Sequence, residues 1–220
     1  RSELWARPEV AAKFWARLQG PSPPGRCTHE GLPLRALDGL ATSADAVALL
    51  AAAALDAGRE ASRRQAGDLP GGHAVVRRIR QQFADAVGVS EPFLEPLRLV
   101  QYSKKHDAFE RHVDWTVDAH DSQLTLLGQR IATGLLYLTD LPAGVGGATS
   151  FHRLGISIRP TLGTCLLWPN VNANGRPLED SEHEAEPLLV DGIMKAAVNI
   201  WVRDRPLPTD ARTLRGLYLS

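Results

Sequence analysis

Cysteine and methionine are nearly missing from this chain of 220 residues, which has 2 Cys and 1 Met. Cys27 and Cys165 cannot build a disulfide scaffold. Cys165 lies in the apolar run Gly163-Thr164-Cys165-Leu166-Leu167-Trp168, where a buried free thiol is expected. Net charge is absent as well, with 25 Lys+Arg against 25 Asp+Glu, which argues against nucleic acid or an anionic membrane surface as a partner. No run approaches the ~20 apolar residues of a membrane span; the longest, 47–55, is short and alanine-rich, so the chain is read as soluble. Internal repeats are missing too. The chain begins at Arg1 rather than Met, which suggests an excised or processed piece and leaves compartment and oligomeric state open. Small molecules or short peptides are the substrates this composition suits.

The length fits one well-packed domain, because two would each have a small core. Residues 1–30 are expected to form an N-terminal helical arm and linker. Leu4, Val10, Phe14, Trp15 and Leu18 recur at helical spacing over 3–19, and Gly20-Pro21-Ser22-Pro23-Pro24-Gly25 stops the helix. Residues 31–206 are expected to form the single domain. Its support, 31–96, would hold a strand within 32–40, a helix from Ser43 or Asp45 through Leu50, Ala54 and Leu55, and a second helix after Gly72. The second helix would bury Val75, Val76, Ile79, Phe83, Ala84 and Val87 and expose Arg77, Arg78, Arg80 and Gln81.

Beyond Gly88 the pattern changes to short β-type runs at 97–102, 108–115, 130–138, 149–151, 163–168, 186–190 and 194–203, with a tail over 207–220. Six to eight such strands behind two helices suit a mainly β fold with flanking α: a double-sheet jelly roll over 97–206, one sheet buttressed by the helices.

Within that region, His112-Val113-Asp114 stands out. Residues two apart on a strand point to one side, so His112 and Asp114 can share a metal while Val113 faces away, and a third ligand must come from a distant segment such as His183. Two imidazoles and one carboxylate hold a divalent iron on one face and leave its other positions open. The bare triplet has little weight, since roughly 0.4 such matches arise by chance in a chain of this composition. Its setting decides.

From Leu97 onward the chain resembles the prolyl 4-hydroxylase family of 2-oxoglutarate- and Fe(II)-dependent dioxygenases. The matching elements are Gln101-Tyr102, Phe109-Glu110-Arg111-His112-Val113-Asp114, Arg130-Ile131-Ala132-Thr133, Leu136-Tyr137-Leu138-Thr139-Asp140 and Gly146-Gly147-Ala148-Thr149-Ser150-Phe151. Pro160-Thr161-Leu162-Gly163-Thr164, Leu166-Leu167-Trp168, His183 with Pro187, Gly192-Ile193-Met194-Lys195 and Asn199-Ile200-Trp201 complete them, in order, over about half the chain. The resemblance implies Fe(II) on His112, Asp114 and His183, with 2-oxoglutarate and O2 as cosubstrates and ascorbate as reductant. It also implies hydroxylation of proline in a peptide or protein, with succinate and CO2 as products. Lys195 would hold the distal carboxylate of 2-oxoglutarate, because a buried carboxylate needs a charged partner. Tyr102 and Thr149 match positions that line the cosubstrate pocket, and Tyr137 is a further candidate. Trp201 shares a strand face with Lys195.

Two departures touch the substrate edge rather than the iron. Tyr102 precedes His112 by ten residues where many members have nine, with Lys104-Lys105-His106-Asp107 filling the loop, and Ala148 stands where glutamate is common. The segments 103–107 and 117–129 are expected as loops at the rim of the pocket. His120 and Asp121 belong to a polar loop, and His29, His73, His106 and His152 have no partner at ligand spacing. Hydroxylation of a free amino acid or other small metabolite on the same scaffold is the enzymatic alternative. A non-catalytic metal-binding jelly roll is the alternative from another class.

Overall fold

Strands that alternate between two apolar faces build the molecule from two antiparallel sheets. The computed structural model describes residues 5–29, 31–54, 65–118 and 120–208. Among them the larger sheet has seven strands in the order β1 (Arg26–His29), β2 (Leu34–Leu37), β9 (Cys165–Pro169), β6 (Arg130–Tyr137), β11 (Lys195–Arg203), β4 (Arg98–Tyr102) and β3 (Gln65–Asp68). The smaller sheet runs β5 (Phe109–His112), β10 (His183–Ala185), β7 (Thr149–Phe151) and β8 (Ile156–Ile158). This is the mainly β architecture with flanking helices that the sequence pattern implies.

β6 shows why the layers form. Leu135 and Tyr137 join the cluster that faces the smaller sheet, with Leu166, Trp168, Phe151 and Ala197, whereas Ala132 and Leu136 join the cluster under the helices. A slip of one residue would exchange those faces and expose side chains that each contribute roughly 1.5–3 kcal/mol by burial. The helix layer consists of α1 (Pro8–Gln19), α2 (Ser43–Ala54) and α3 (Ala74–Val87). Phe14 and Leu18 of α1, Leu49 of α2, and Val76, Ile79 and Phe83 of α3 pack with Leu136, Leu167, Val198 and Ile200. Gly134 lets α3 come close: a Cβ there would lie 2.5 Å from the Phe83 ring. Gly88, at φ 74°, ends α3 by sending its N–H back to the Ala84 carbonyl.

Several expectations need correction. The first helix starts at Pro8, because a residue before proline is driven out of the helical region and Arg7 is extended (ψ 117°). Within the expected N-terminal arm, Ala11, Phe14 and Leu18 lie in the main core and β1 is an edge strand of the larger sheet. The division at 97 is likewise crossed, because β2 and β3 complete the same sheet. No strand spans 186–190; Pro187 lacks an N–H for a ladder, and the strand instead precedes it as β10. The strands β1, β3 and β8 fall outside the expected runs: β1 and β3 are four residues long without apolar alternation, and β8 alternates as Ile156-Ser157-Ile158 but is only three residues long. Leu55 and residues 209–220 lie outside the described residues; Leu207, at the start of the expected tail, donates its N–H to the Pro92 carbonyl.

Candidate metal centre

The centre forms where the smaller sheet meets the larger. β5 ends at His112, and β10 sets His183 directly opposite it, which brings the two imidazole centroids to 4.3 Å. Asp114 is not on the strand: β5 stops two residues earlier, and the chain turns so that the carboxylate comes to the same place. Asp114 Oδ1 lies 3.7 Å from His112 Nε2 and Oδ2 lies 3.8 Å from His183 Nε2. Donor atoms of the three residues all fall within 4.8 Å of one another, and they are the metal-capable cluster among the described residues.

Hydrogen bonding prepares the ring nitrogens. His112 Nδ1 lies 2.8 Å from the Glu110 carbonyl and His183 Nδ1 lies 2.9 Å from the Ser181 carbonyl. A carbonyl only accepts, so each Nδ1 has the hydrogen and each Nε2 presents its lone pair to the centre. Trp168 and Phe151 wall the His183 ring at centroid distances of 4.8 and 5.6 Å. The Thr133 hydroxyl donates to Asp114 Oδ2 at 2.6 Å, and Asn170 Nδ2 donates to Thr133 Oγ1 at 2.9 Å. Burial pushes the Asp114 carboxyl up, but the His183 and His112 rings in their protonated form, the Arg130 guanidinium and the Thr133 hydroxyl outweigh it and hold the group below its ordinary range.

A cavity of about 240 Å³ leads inward from this centre to Lys195. Lys195 is 2% exposed, and its Nζ has no hydrogen-bond partner among the described residues. It lies 5.2 Å from the centroid of the Tyr102 ring, the residue that β4 pairs with it. Burial pulls the ammonium down to about 7, with the Glu186 carboxylate acting the other way. Gly147, at φ 74°, lets the chain pass close to two apolar side chains beside the cavity, since a Cβ there would lie 2.7 Å from Leu141 Cδ1 and 2.9 Å from Leu188 Cδ2. Thr149 lines the cavity and accepts a hydrogen bond of 2.7 Å from the Tyr137 hydroxyl. Tyr137 itself is fully buried behind Thr149 and is not a wall of the cavity. Its hydroxyl is pushed well above the usual phenol range by that burial.

Residues 97–203 match the model of the 2OG-Fe(II) oxygenase superfamily. Prolyl 4-hydroxylase subunit alpha-1 of Homo sapiens is 35% identical over 133 residues. This chain contains a 2OG-Fe(II) oxygenase domain similar to that of the prolyl 4-hydroxylases. The match takes in 60% of the chain but only 24% of the human protein, so the chain spans about a quarter of the length of the curated relatives it matches. Among solved structures, the fold is shared with the viral collagen prolyl hydroxylase of Paramecium Bursaria Chlorella virus-1 in its 2OG complex. That likeness has a TM-score of 0.64 and 21% identity, covering 81% of this chain and 98% of the other. A prolyl hydroxylase of Trichoplax adhaerens, in complex with a hypoxia inducible factor peptide fragment, shares it with a TM-score of 0.55 and 14% identity, over 95% and 94% of the two chains.

The residues present fit the two groups for which this family is named. Two imidazole Nε2 atoms and one carboxylate are the donor set for Fe(II), and a buried ammonium without a hydrogen-bond partner among the described residues is what the far carboxylate of 2-oxoglutarate requires. Lys195, Ala197, Asn199 and Trp201 all line the cavity, as alternation along one strand face demands. Trp201 is six residues from Lys195, roughly 20 Å along an extended strand, and stands at the level of Thr133, its partner on β6. It therefore flanks the metal end, with the Arg130 guanidinium stacked 3.8 Å from its ring. The loop 103–107 is not at the rim. It follows β4 at the lysine end and is tied down by Asp107, which accepts from the N–H groups of Ser103 and Lys104. In the segment 117–129, α4 (Ser122–Leu127) is capped by Asp121, and Gln129 bonds back to Thr116, two residues after Asp114.

Reading the sequence did not single out Thr133 or Asn170, the support of Asp114, nor Arg98, Phe109 and Arg130 as cavity walls. The strand period was the available signal for Thr133, which alternates with Leu135 and Tyr137. Arg130 is set by Glu95, fully buried, which accepts two hydrogen bonds from it and one from Arg203. Burial pushes the Glu95 carboxyl up, yet the two guanidiniums hold it below its ordinary range.

Proposed function

We propose that this chain is an Fe(II)- and 2-oxoglutarate-dependent dioxygenase that hydroxylates proline within a peptide or protein. The observation that supports this is the pairing, in one cavity, of the His112, Asp114 and His183 donor set with the buried Lys195 amine. His112 and His183 would hold the metal through Nε2 and Asp114 through its carboxylate. Lys195 would pair with the distal carboxylate of 2-oxoglutarate, while the ring of Tyr102 and the hydroxyl of Thr149 shape the pocket around the chain between. When bound, Fe(II) and 2-oxoglutarate supply the oxidative decarboxylation that consumes O2, releases succinate and CO2, and leaves one oxygen on the substrate carbon. The protein orients the reactants and shields the rest of itself. Ascorbate is the expected reductant for turnovers in which no substrate is hydroxylated.

A peptide is favoured over a free amino acid by the gradient of exposure along the cavity. Lys195, Tyr102 and Thr149 are buried, whereas Arg98, Val113, Arg130 and Trp201 at the metal end are half-buried, so that end is open to a longer chain. The Trichoplax relative with its peptide supports the same choice.

Purified protein incubated with Fe(II), ascorbate, 2-oxoglutarate and an array of proline-containing peptides should yield products heavier by one oxygen, with succinate in step. Oxygenation of free proline but of no peptide would replace the peptide reading with the metabolite one. Metal uptake without any 2-oxoglutarate-dependent stabilisation would favour a non-catalytic module.

A further inference from the structure

Asp114 meets the centre with both oxygens at nearly equal reach, Oδ1 at 3.7 Å from one imidazole nitrogen and Oδ2 at 3.8 Å from the other. Nothing in those distances selects one oxygen as the ligand. A carboxylate free to turn would offer both, take up two positions on a metal and leave fewer for other ligands. The hydrogen bonds on its far side remove that symmetry. Oδ2 accepts the Thr133 hydroxyl at 2.6 Å, short for an O–H donor and typical of a bond to a charged acceptor. Thr133 has a single hydrogen to give, so its own oxygen is left as an acceptor, and Asn170 Nδ2 fills it at 2.9 Å.

The direction of this relay is fixed. Were the Asn170 amide reversed, its carbonyl oxygen would face a hydroxyl oxygen whose hydrogen is already committed to Asp114, and lone pairs would meet. Asn170 Oδ1 accordingly points elsewhere and has no partner. Asn170 is also rigid: it is fully buried, its N–H donates to the Ile131 carbonyl and its carbonyl accepts from Leu178 N–H. Thr133, fully buried too, lies in the middle of β6 between β9 and β11. The relay therefore runs from the larger sheet to a ligand supplied by a loop beyond the smaller one.

We propose that Asn170 and Thr133 act in series as positioning residues for Asp114, holding Oδ2 with the protein so that Oδ1 alone is offered to the metal. This rests on the metal-site reading above. Asn170 has no path to the carboxylate except through Thr133, and that makes the order of action testable.

Co(II) binding to the apo protein, by chelator competition and by the visible spectrum at saturation, provides the test without any turnover. Thr133→Val keeps the shape and removes the hydroxyl; it should weaken Co(II) binding by about 10–100-fold, the usual effect of losing a support to a metal ligand. The spectrum at saturation should change, as the released carboxylate offers its second oxygen. Thr133→Ser should restore both. Asn170→Ala, which leaves Thr133 in place, should produce a smaller loss, and the double variant Thr133→Val/Asn170→Ala should bind no more weakly than Thr133→Val. Thermal midpoints of the apo variants report whether each folds, and Asn170→Ala with Thr133→Ser decides the matter if Thr133→Val does not. Parental affinity and spectrum in Thr133→Val or Asn170→Ala would overturn the proposal, and so would additive losses in the double variant, the mark of two independent packing defects. A parent protein that takes up no Co(II) overturns the metal site and this inference together, whereas unchanged variants beside a parent that binds overturn the inference alone.

Discussion

The two ends of one cavity treat buried charge in opposite ways. At the metal end the Asp114 carboxylate has the Thr133 hydroxyl, each imidazole gives its Nδ1 hydrogen to a carbonyl near in sequence, and only the atoms turned to the centre are left over. At the other end the Lys195 ammonium is equally buried and has no hydrogen bond, so its affinity for a proton falls to about 7. One end is prepared to hold a cation, the other lacks an anion. A buried charge that the fold itself does not satisfy is costly, and its presence marks the place where a ligand completes the structure. Glu95 gives the contrasting case, a buried charge satisfied by two arginines of the chain.

The comparison breaks most visibly if the metal end is dispensable. His112→Ala and His183→Ala should each abolish turnover and erase the rise in melting temperature produced by Mn(II); normal activity in either would remove the iron site. Next in size, Glu95→Gln should cost about 3–5 kcal/mol of stability, read by urea unfolding, because it leaves two guanidiniums without their shared partner in the interior. Lys195→Met should do the reverse to the empty protein, whose melting temperature should hold or rise once the unsatisfied ammonium is gone. The same variant should weaken 2-oxoglutarate binding by about 2–5 kcal/mol, roughly 30- to 5,000-fold. A melting temperature that falls as far as that of Glu95→Gln would show that Lys195 is satisfied without a ligand.

A pH experiment sharpens the same contrast. In the free protein Lys195 loses its proton as pH rises through about 7, and a bound carboxylate favours the charged form and raises that value. Binding of 2-oxoglutarate should therefore take up nearly one proton at pH 8 and almost none at pH 6, and affinity should weaken as pH rises above 7. Calorimetry in two buffers of different ionisation enthalpy measures the uptake; equal heats in both at pH 8 would contradict it. Smallest of all, Tyr137→Phe removes one buried hydrogen bond to Thr149 and should lower stability by about 1 kcal/mol, a shift of a few degrees, with metal affinity unchanged.

Much of the centre was legible because its spacing is local. The two-residue period of a strand places Lys195, Ala197, Asn199 and Trp201 on one wall from the sequence alone, and the structure puts them there. The helix over 74–87 was legible from its apolar period and its terminal glycine. Less legible were strands such as Arg26–His29, whose residues are largely exposed and whose identity comes from pairing with Leu34–Leu37 rather than from their own pattern. Thr133 and Asn170 escaped for a similar reason, because a threonine and an asparagine are ordinary residues until another segment supplies the carboxylate between sheets.

Local pattern along the chain carries the alternation of the strands, the ordered motifs that resemble the prolyl 4-hydroxylases, and the residue types able to bind a metal and a carboxylate. Only the tertiary structure decided that β10 sets His183 against His112, that Asp114 reaches the centre from beyond its strand, and that Thr133 claims one of its oxygens. It also decided which end of the cavity is finished and which is open. The physical reason is range: backbone period and side-chain chemistry act over a few residues, whereas whether a buried charge is satisfied depends on groups brought from 19 to 108 positions away.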